Sequence, residues 1–362
     1  MFNKQKFLIS TLVLFSSSFI FAQNNCNCDT ALQNLVLKIE SEYPGFQEKT
    51  NRVADLYKNQ KSTLLLKVDS VKTQNCISIL NEYISFFKDE HIYLQEKKKS
   101  DIEVSNQNEQ KPQKTEIEAR LLTQTIFYIK ISSFKYENIV PLKNLVEQHK
   151  KQIEKAKAII IDVRDNFGGT DDVYQPLLPY ILTNPLRIMN VEFLSTQTLI
   201  NGLRDYAVQN INKGAIDSLK QVKEIEDGLK EYKDNLGKCV LYNNKKVIID
   251  TIKLKSKSPT QVIILANSNV ASAGENFLFS ARQSKKVKIM GTPTMGVLDY
   301  GSIREFKFGC DNYELTLPTY RSVRLPNYPI DNIGIQPDLY LDDTIGDWLE
   351  FAINLNSINN LG

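Results

Sequence analysis

The sequence predicts an α/β fold, because short apolar runs alternate with helical segments through its second half. The clearest run is Ala158–Val163 (AIIIDV), which indicates a strand buried on both faces. A strand-like run at Thr125–Ile131 and an amphipathic helix at Ile139–Lys155 precede it, and this order implies parallel pairing of the two strands. Further strands are predicted at Val247–Ile252, Gln261–Ala266 and Val287–Met290.

The N-terminal part has a different pattern, with apolar residues at helical spacing from Ala31 onward. Tyr43-Pro44-Gly45 ends this first helix, and a second is predicted over Val53–Leu66. A third helix carries one apolar stripe, formed by Ile77, Leu80, Ile84 and Phe87. We therefore expect residues 23–95 to form a helical cap beside the α/β core.

Two polar stretches mark further boundaries. Residues 96–119 are charged and carry few apolar side chains, which predicts a linker or an exposed loop. The core is then expected over 120–345, with a Lys- and Glu-rich stretch forming an inserted helical excursion within 190–245. A C-terminal helix and tail are expected over 346–362.

The first 22 residues have the pattern of a signal peptide. Lys4 and Lys6 precede the uncharged run Phe7–Ala22, which is shorter than the roughly 20 apolar residues that a membrane span requires. We expect cleavage after Ala22 and export to the periplasm or the extracellular space. The mature protein would then have no membrane span, although an uncleaved anchor is an alternative.

Because exported proteins fold in oxidising compartments, the five cysteines are candidates for disulfide pairing. We expect Cys76 to pair with Cys26 or Cys28 and Cys239 to pair with Cys310, which leaves one free thiol. Cys26 and Cys28 have no second Cys or His pair at zinc spacing, so we expect no metal site.

Composition narrows the function classes. Lys plus Arg number 45 and Asp plus Glu number 42, so nothing indicates the clustered basic face of a nucleic-acid-binding protein. The chain has only two histidines, His91 and His149, which excludes a multi-histidine metal site. Neither observation calls for a cofactor.

Three loops contain candidate chemistry. Gly168 and Gly169 follow the Ala158–Val163 strand, where they either form a simple tight turn or direct backbone N–H groups at a ligand. Ser272 stands where a strand passes into a helix, which exposes its hydroxyl at a helix N-terminus. The alternative is that Ser272 and Glu275 only form a capping box, S-x-x-E.

The third loop contains His91, which follows the end of the third predicted helix. His149 instead falls on the inner stripe of its helix, where it is expected to pack against the core. Position therefore makes His91 the better candidate for a general base.

Five segments share an order along the chain. They are Asp89–His91, Ile159–Gly169 (IIIDVRDNFGG), Ser268–Glu275, Gly291–Gly296 (GTPTMG) and Gly334–Asp338 (GIQPD). Together they resemble the D-x-H, D-x-R-x-N-x-G-G, S-A-x-E, G-x-x-T-x-G and G-[IV]-x-P-D motifs of the C-terminal processing (tail-specific) serine peptidases of the tricorn-core type. This resemblance implies a ClpP/crotonase-like core, a peptidase activity without a cofactor, and peptides or unfolded proteins as substrates.

The resemblance also implies the site residues. Ser272 would be the nucleophile and His91 the general base, and Asp331 would orient the histidine. The oxyanion hole would consist of the N–H of Ala273 and one from Gly168 or Gly169.

Some positions depart from the family pattern. Many members use a lysine 25 positions after the serine, but Val297 stands there, which disfavours a Ser/Lys dyad. Asp331 replaces a longer glutamate, so its reach to His91 is an open point. The segment between His91 and the first core strand is too short for the peptide-binding PDZ module that many members carry there, so a preference for substrate C-termini is not implied.

The sequence therefore predicts an exported serine endopeptidase. A peptidase-like fold without catalysis that binds peptide, lipid or glycan is the main alternative, and an esterase using the same triad is a third.

Overall fold

The structure, a computed structural model, describes residues 27–68, 76–96, 117–209, 218–254 and 259–358. The predicted signal peptide, 1–22, lies outside these residues, as does most of the predicted linker. No helix in the described ranges is long and apolar enough to cross a membrane.

The helices and strands are numbered in chain order. The helices are α1 (Cys28–Glu42), α2 (Phe46–Asn51), α3 (Ala54–Val68), α4 (Cys76–Ile84), α5 (Ile139–Gln148), α6 (Lys150–Lys155), α7 (Leu178–Ile181), α8 (Gln197–Gln209), α9 (Ser218–Gly228), α10 (Lys230–Asp234), α11 (Ala273–Ala281) and α12 (Trp348–Ile358). The strands are β1 (Tyr93–Glu96), β2 (Ile117–Leu121), β3 (Ile126–Ile131), β4 (Ala158–Asp162), β5 (Leu186–Met189), β6 (Val191–Leu194), β7 (Cys239–Leu241), β8 (Val247–Asp250), β9 (Gln261–Ala266), β10 (Val287–Gly291), β11 (Tyr300–Gly301), β12 (Arg304–Phe306), β13 (Tyr313–Leu317), β14 (Tyr320–Ser322) and β15 (Leu339–Tyr340).

A six-stranded sheet in the order β15-β10-β9-β4-β3-β2 forms the core. All neighbouring strands pair in parallel except β2, which runs antiparallel to β3. Successive side chains of β3 point to opposite faces of the sheet. Phe127 packs with residues of α5 and α11 on one face, and Tyr128 packs with residues of α12 on the other. The α/β prediction is confirmed, and the loops that follow β4, β9 and β10 emerge at one edge of the sheet.

The helical cap has its own hydrophobic core and is joined to the rest of the chain by a strand. Leu32, Leu35 and Leu80 are fully buried in this cap core, and burial of each such side chain contributes about 1.5–3 kcal/mol. After α4, β1 pairs antiparallel with β13 in the three-stranded sheet β1-β13-β12. Side chains of β12 and β13 complete the cap core, so the cap is fixed against the α/β unit.

The stretch 190–245, predicted as a helical excursion, contains two short strands as well as helices in the described residues. Helices α8, α9 and α10 lie between β6 and β7, which belong to the four-stranded sheet β11-β14-β6-β7. The predicted strand at Val247–Ile252 forms as β8 but pairs antiparallel with β5, outside the six-stranded sheet.

The cysteines pair differently from expectation in one respect. Cys28 and Cys76 form a disulfide that joins α1 to α4, which is one of the two alternative pairings predicted for Cys76. The predicted pair Cys239–Cys310 is wrong, because Cys239 is free and Cys310 is disulfide-bonded. The reason is spatial: Cys239 begins β7, whereas Cys310 is buried in the cap core.

Candidate active site

Ser272 lies at the junction of β9 and α11 in an unusual backbone conformation. Its φ is 52° and its ψ is −119°, so the chain turns sharply immediately before the first residue of α11. For a residue other than glycine this conformation is uncommon and concentrates at functional sites. The turn places Ser272 at the positive end of the α11 dipole, where developing negative charge is stabilised.

The carboxylate of Glu275 fixes this turn from inside the protein. It is fully buried and accepts hydrogen bonds from the N–H of Ser272 (3.1 Å) and the hydroxyl of Thr294 (2.5 Å). It also accepts the N–H groups of Gly296 (2.8 Å) and Val297 (2.7 Å). Burial raises the pKa of Glu275, and these four donors oppose that rise. Glu275 therefore joins the serine turn to the GTPTMG loop, so its capping-box contact is one part of a wider network.

The two glycines of the β4 loop have different roles. Both have positive φ, 95° for Gly168 and 138° for Gly169. A Cβ on Gly168 would lie 2.9 Å from the Cβ of Ser272, so only glycine allows this close approach. The N–H of Gly168 donates to the side chain of Asn166 (2.9 Å) and is therefore engaged. The N–H groups of Gly169 and Ala273 donate no hydrogen bond within the described part of the chain.

A cavity of about 330 Å³ brings several of these groups together, and we call it the serine cavity. Gly169, Ser272 and Ala273 all line it. Gly168, His91 and Asp331 do not. Both glycines predicted for the oxyanion hole are thus near Ser272, but among the described contacts the N–H of Gly168 is engaged by Asn166, whereas Gly169 lines the cavity and its N–H has no acceptor.

His91 lies two residues before the start of β1, the strand that pairs the cap with β13. Its side chain is 12% exposed, and its Nδ1 lies 3.7 Å from Oδ1 of Asp89. Asp89 has a fully buried side chain that accepts the Tyr43 hydroxyl (2.8 Å) and the His91 N–H (2.9 Å). Burial lowers the pKa of His91, opposed by the charges of Asp89 and Glu90, so the imidazole is neutral at neutral pH.

Asp331 lies in the loop that contacts the cap, but it does not pair with His91. Its Oδ1 accepts the N–H groups of Leu298 (2.8 Å) and Asp299 (2.7 Å), and its buried Oδ2 has no hydrogen-bond partner. Burial, and then the charges of Asp89 and Asp299, raise the pKa of Asp331 to about 7. Among the described residues, the carboxylate within 4 Å of His91 is therefore Asp89.

The Asp331 loop is held in place by a buried ion pair. Asp299 bonds Arg324 at 2.9 Å, and its second oxygen accepts the N–H groups of Ile330 and Asp331. Asn332 donates to the carbonyl of Lys88 (2.9 Å), which connects the loop to the segment before His91. No hydrogen bond joins His91 to Ser272 or to Asp331 in the described ranges. The structure thus holds the serine and the histidine in adjoining units without closing the contact.

Two expectations about other residues can be compared with the structure. His149 lies at the end of α5, where its ring packs 5.4 Å from that of Phe127, as expected for a packing residue. Within the described residues, no group of His, Cys, Asp or Glu side chains could hold a metal ion.

Comparison with known proteins identifies the family of this chain. Residues 125–341 match the model of peptidase family S41. The chain belongs to peptidase family S41. It is therefore a serine-type peptidase, a hydrolase whose substrates are peptides or proteins, as the sequence predicted. No curated protein sequence matches the S41 chain significantly.

Solved structures of related fold extend over nearly the whole S41 chain. Mature CPAF complexed with lactacystin has a TM-score of 0.62 at 13% identity and covers 92% of this chain and 98% of its own. A putative peptidase from Parabacteroides merdae has a TM-score of 0.54 at 16% identity, covering 91% and 97%. These similarities confirm the fold of the chain.

Sequence reasoning missed three residues that the structure brings into the site. Asp89 was recognised only as part of D-x-H, and Asp171 was not singled out although it follows Gly169 by two positions. The buried network of Glu275 was also missed, because its four donors come from separate segments. The position of Asp89 two residues before His91 was visible in the sequence and could have indicated its role. No sequence pattern indicated the hydrogen-bond partners of Glu275.

Proposed function

We propose that this peptidase is an exported serine endopeptidase in which Ser272 attacks the peptide carbonyl. The observation that carries the proposal is the shared lining of the serine cavity by Ser272 and the free N–H groups of Gly169 and Ala273. Two preorganised donors beside a serine at a helix N-terminus suit a tetrahedral oxyanion, and removing one such donor typically costs about 3–4 kcal/mol of barrier.

His91 supplies the general base in this mechanism. It accepts the Ser272 proton as the hydroxyl attacks and returns a proton to the leaving amine. Burial keeps the imidazole neutral, which is the form that accepts a proton. Catalytic hydrogen bonds often close only when substrate is bound, so the open contact between His91 and Ser272 is compatible with this role.

The acidic residue that orients His91 is assigned by proximity. Asp89 lies 3.7 Å from Nδ1 and is itself fixed by Tyr43. Asp331, the residue implied by the family resemblance, bonds backbone N–H groups instead. We therefore assign orientation of the ring to Asp89. Replacing each carboxylate by its amide separates the two: Asp89→Asn should alter the pH profile of kcat more than Asp331→Asn does.

Export is part of the proposal. The basic residues and uncharged run of 1–22 support it. The Cys28–Cys76 disulfide supports it independently, because such bonds persist in oxidising compartments. Expression of a tagged chain in a bacterium, followed by fractionation, tests it: recovery only in the cytoplasm with the leader intact would contradict export.

Covalent labelling tests the nucleophile. A fluorophosphonate probe should label the native protein and fail to label Ser272→Ala. Ser268→Ala is the matched control, since Ser268 is an exposed serine in the same loop. Equal labelling of all three proteins, or none of the folded native protein, would reject the proposal.

Hydrolysis of unfolded casein tests the base. His91→Gln should abolish cleavage, while His149→Gln, which changes the other histidine, should retain it. A protein that takes the fluorophosphonate but leaves casein intact and hydrolyses simple esters would instead be an esterase.

A further inference from the structure

A second cavity of about 280 Å³ adjoins the serine cavity, and we call it the side cavity. Its lining includes apolar side chains suited to an aliphatic stem, among them Met189, Phe279 and Leu298. The two cavities have four lining residues in common: Asp171, Asn276, Leu298 and Tyr320. A substrate side chain that leaves the serine cavity can therefore continue into the side cavity.

Asp171 is the charged residue at this junction. Among the described residues that line the serine cavity, it is the one with a formal charge. Its carboxyl group accepts hydrogen bonds from Asn276 (2.5 Å, to Oδ2) and from the side chain of Tyr174, and within the described ranges it forms no ion pair. Burial raises the pKa of Asp171. A largely buried carboxylate without a cation is costly, and such groups concentrate at functional sites.

The cations that line the side cavity do not neutralise Asp171. Arg324 is bonded to Asp299 and to the carbonyls of Leu298 and Tyr328. Arg187 is exposed on β5 and lines the side cavity but not the serine cavity. Among the described residues, the Asp171 carboxyl group thus lines the same cavity as Ser272 without a cationic partner.

The position of Asp171 matches the length of a basic side chain. Asn276, which holds Asp171, lies four residues after Ser272 along α11, a rise of about 6 Å. An extended lysine side chain covers a similar distance.

We propose that Asp171 selects substrates with lysine or arginine at the residue whose carbonyl Ser272 attacks. The aliphatic stem of that residue contacts Leu298 and its neighbours, and the cationic group pairs with Asp171 at the junction of the two cavities. This inference rests on the proposed role of Ser272 and adds a substrate class to it.

The test compares quenched fluorescent peptides that differ only at this residue, which is lysine, arginine, norleucine, alanine or glutamate. Native protein should cleave the lysine peptide with a kcat/KM at least tenfold above that for norleucine, which has a similar stem without the charge. Asp171→Asn should reduce this ratio at least tenfold. Asp172→Asn, an exposed neighbour, should leave the ratio unchanged.

The other possible results of these assays would overturn the proposed role of Asp171. Equal cleavage of lysine and norleucine peptides by the native protein, or an Asp171→Asn protein that keeps the ratio, overturns the inference. Preference for glutamate overturns it and assigns the pocket to Arg187. Fluorophosphonate labelling of Ser272 without cleavage of the basic peptides overturns the role of Asp171 alone, whereas absence of both labelling and cleavage overturns the proposed function as well. The native ratio decides even if Asp171→Asn fails to fold.

Discussion

Replacing Glu275 with glutamine changes a fully buried carboxylate that accepts four hydrogen bonds. Glutamine keeps the shape but has a single acceptor oxygen, and its NH₂ group would face two of the four donors. A hydrogen bond to a charged group contributes about 1.5–3 kcal/mol. Loss of two such bonds therefore predicts that the free energy of unfolding falls by about 3–6 kcal/mol, a large share of the roughly 5–15 kcal/mol typical of a folded protein.

Urea unfolding at pH 7.5, followed by far-UV circular dichroism, measures this change. Glu147→Gln is the matched control, because Glu147 is exposed on α5 and should change the free energy of unfolding by less than about 0.5 kcal/mol. Fluorophosphonate labelling of the folded Glu275→Gln protein should also slow, since the Ser272 N–H loses its acceptor. A loss of stability below about 1 kcal/mol would refute the reasoning, because Glu275 would then not be an ionised acceptor of all four bonds.

Three further outcomes are expected. Asp331 has a folded-state pKa of about 7 against an ordinary 3.8, so the folded protein holds a proton that the unfolded chain releases, and stability should fall as pH rises from about 4 to 7. Asp331→Asn should remove about 2 kcal/mol of that decline, measured by urea unfolding at pH 5 and pH 8; an unchanged decline would contradict the cause. Gly169→Ala should abolish casein hydrolysis, because its Cβ would lie 2.1 Å from the carbonyl oxygen of Phe134 at a φ of 138°; full activity would reject the role of this loop. Replacing Cys28 and Cys76 by serine should lower the free energy of unfolding by about 4 kcal/mol, as estimated from the closed loop of separation 48, and a loss below 1 kcal/mol in urea would contradict it.

Four strands of the six-stranded core, β3, β4, β9 and β10, were predictable because they are mostly buried and appear as apolar runs. The edge strands β2 and β15 were not predicted, since their residues are partly or fully exposed. β4 has five buried residues in succession and was located within one residue. β6, β7, β11 and β14 were not predicted, since they are only two to four residues long, and all of them except β11 are partly exposed. Short antiparallel strands depend on partners far away in the chain, and local sequence does not encode those partners.

The candidate site was likewise predictable only where local sequence carries the information. Ser272 and the glycine pair were found from residues that follow buried strands, which is local information. The choice of Gly169 over Gly168 depends on Asn166, whose side chain occupies one N–H and leaves the other free. The Cys239–Cys310 pairing failed for a related reason, because the sequence does not indicate that Cys310 is buried in the cap core while Cys239 begins β7.

The pairing of β1 with β13 has a consequence for synthesis of the chain. Tyr93 lies opposite Thr316, so the strand that fixes the His91 segment finds its partner only when the last quarter of the polypeptide exists. A ribosome that has released residues up to the end of α11 has already made Ser272 and His91, but not the edge on which β1 forms hydrogen bonds. His91, the proposed general base, can therefore be aligned only in a chain whose C-terminal segment has folded, and truncation before β13 should yield no hydrolytic activity.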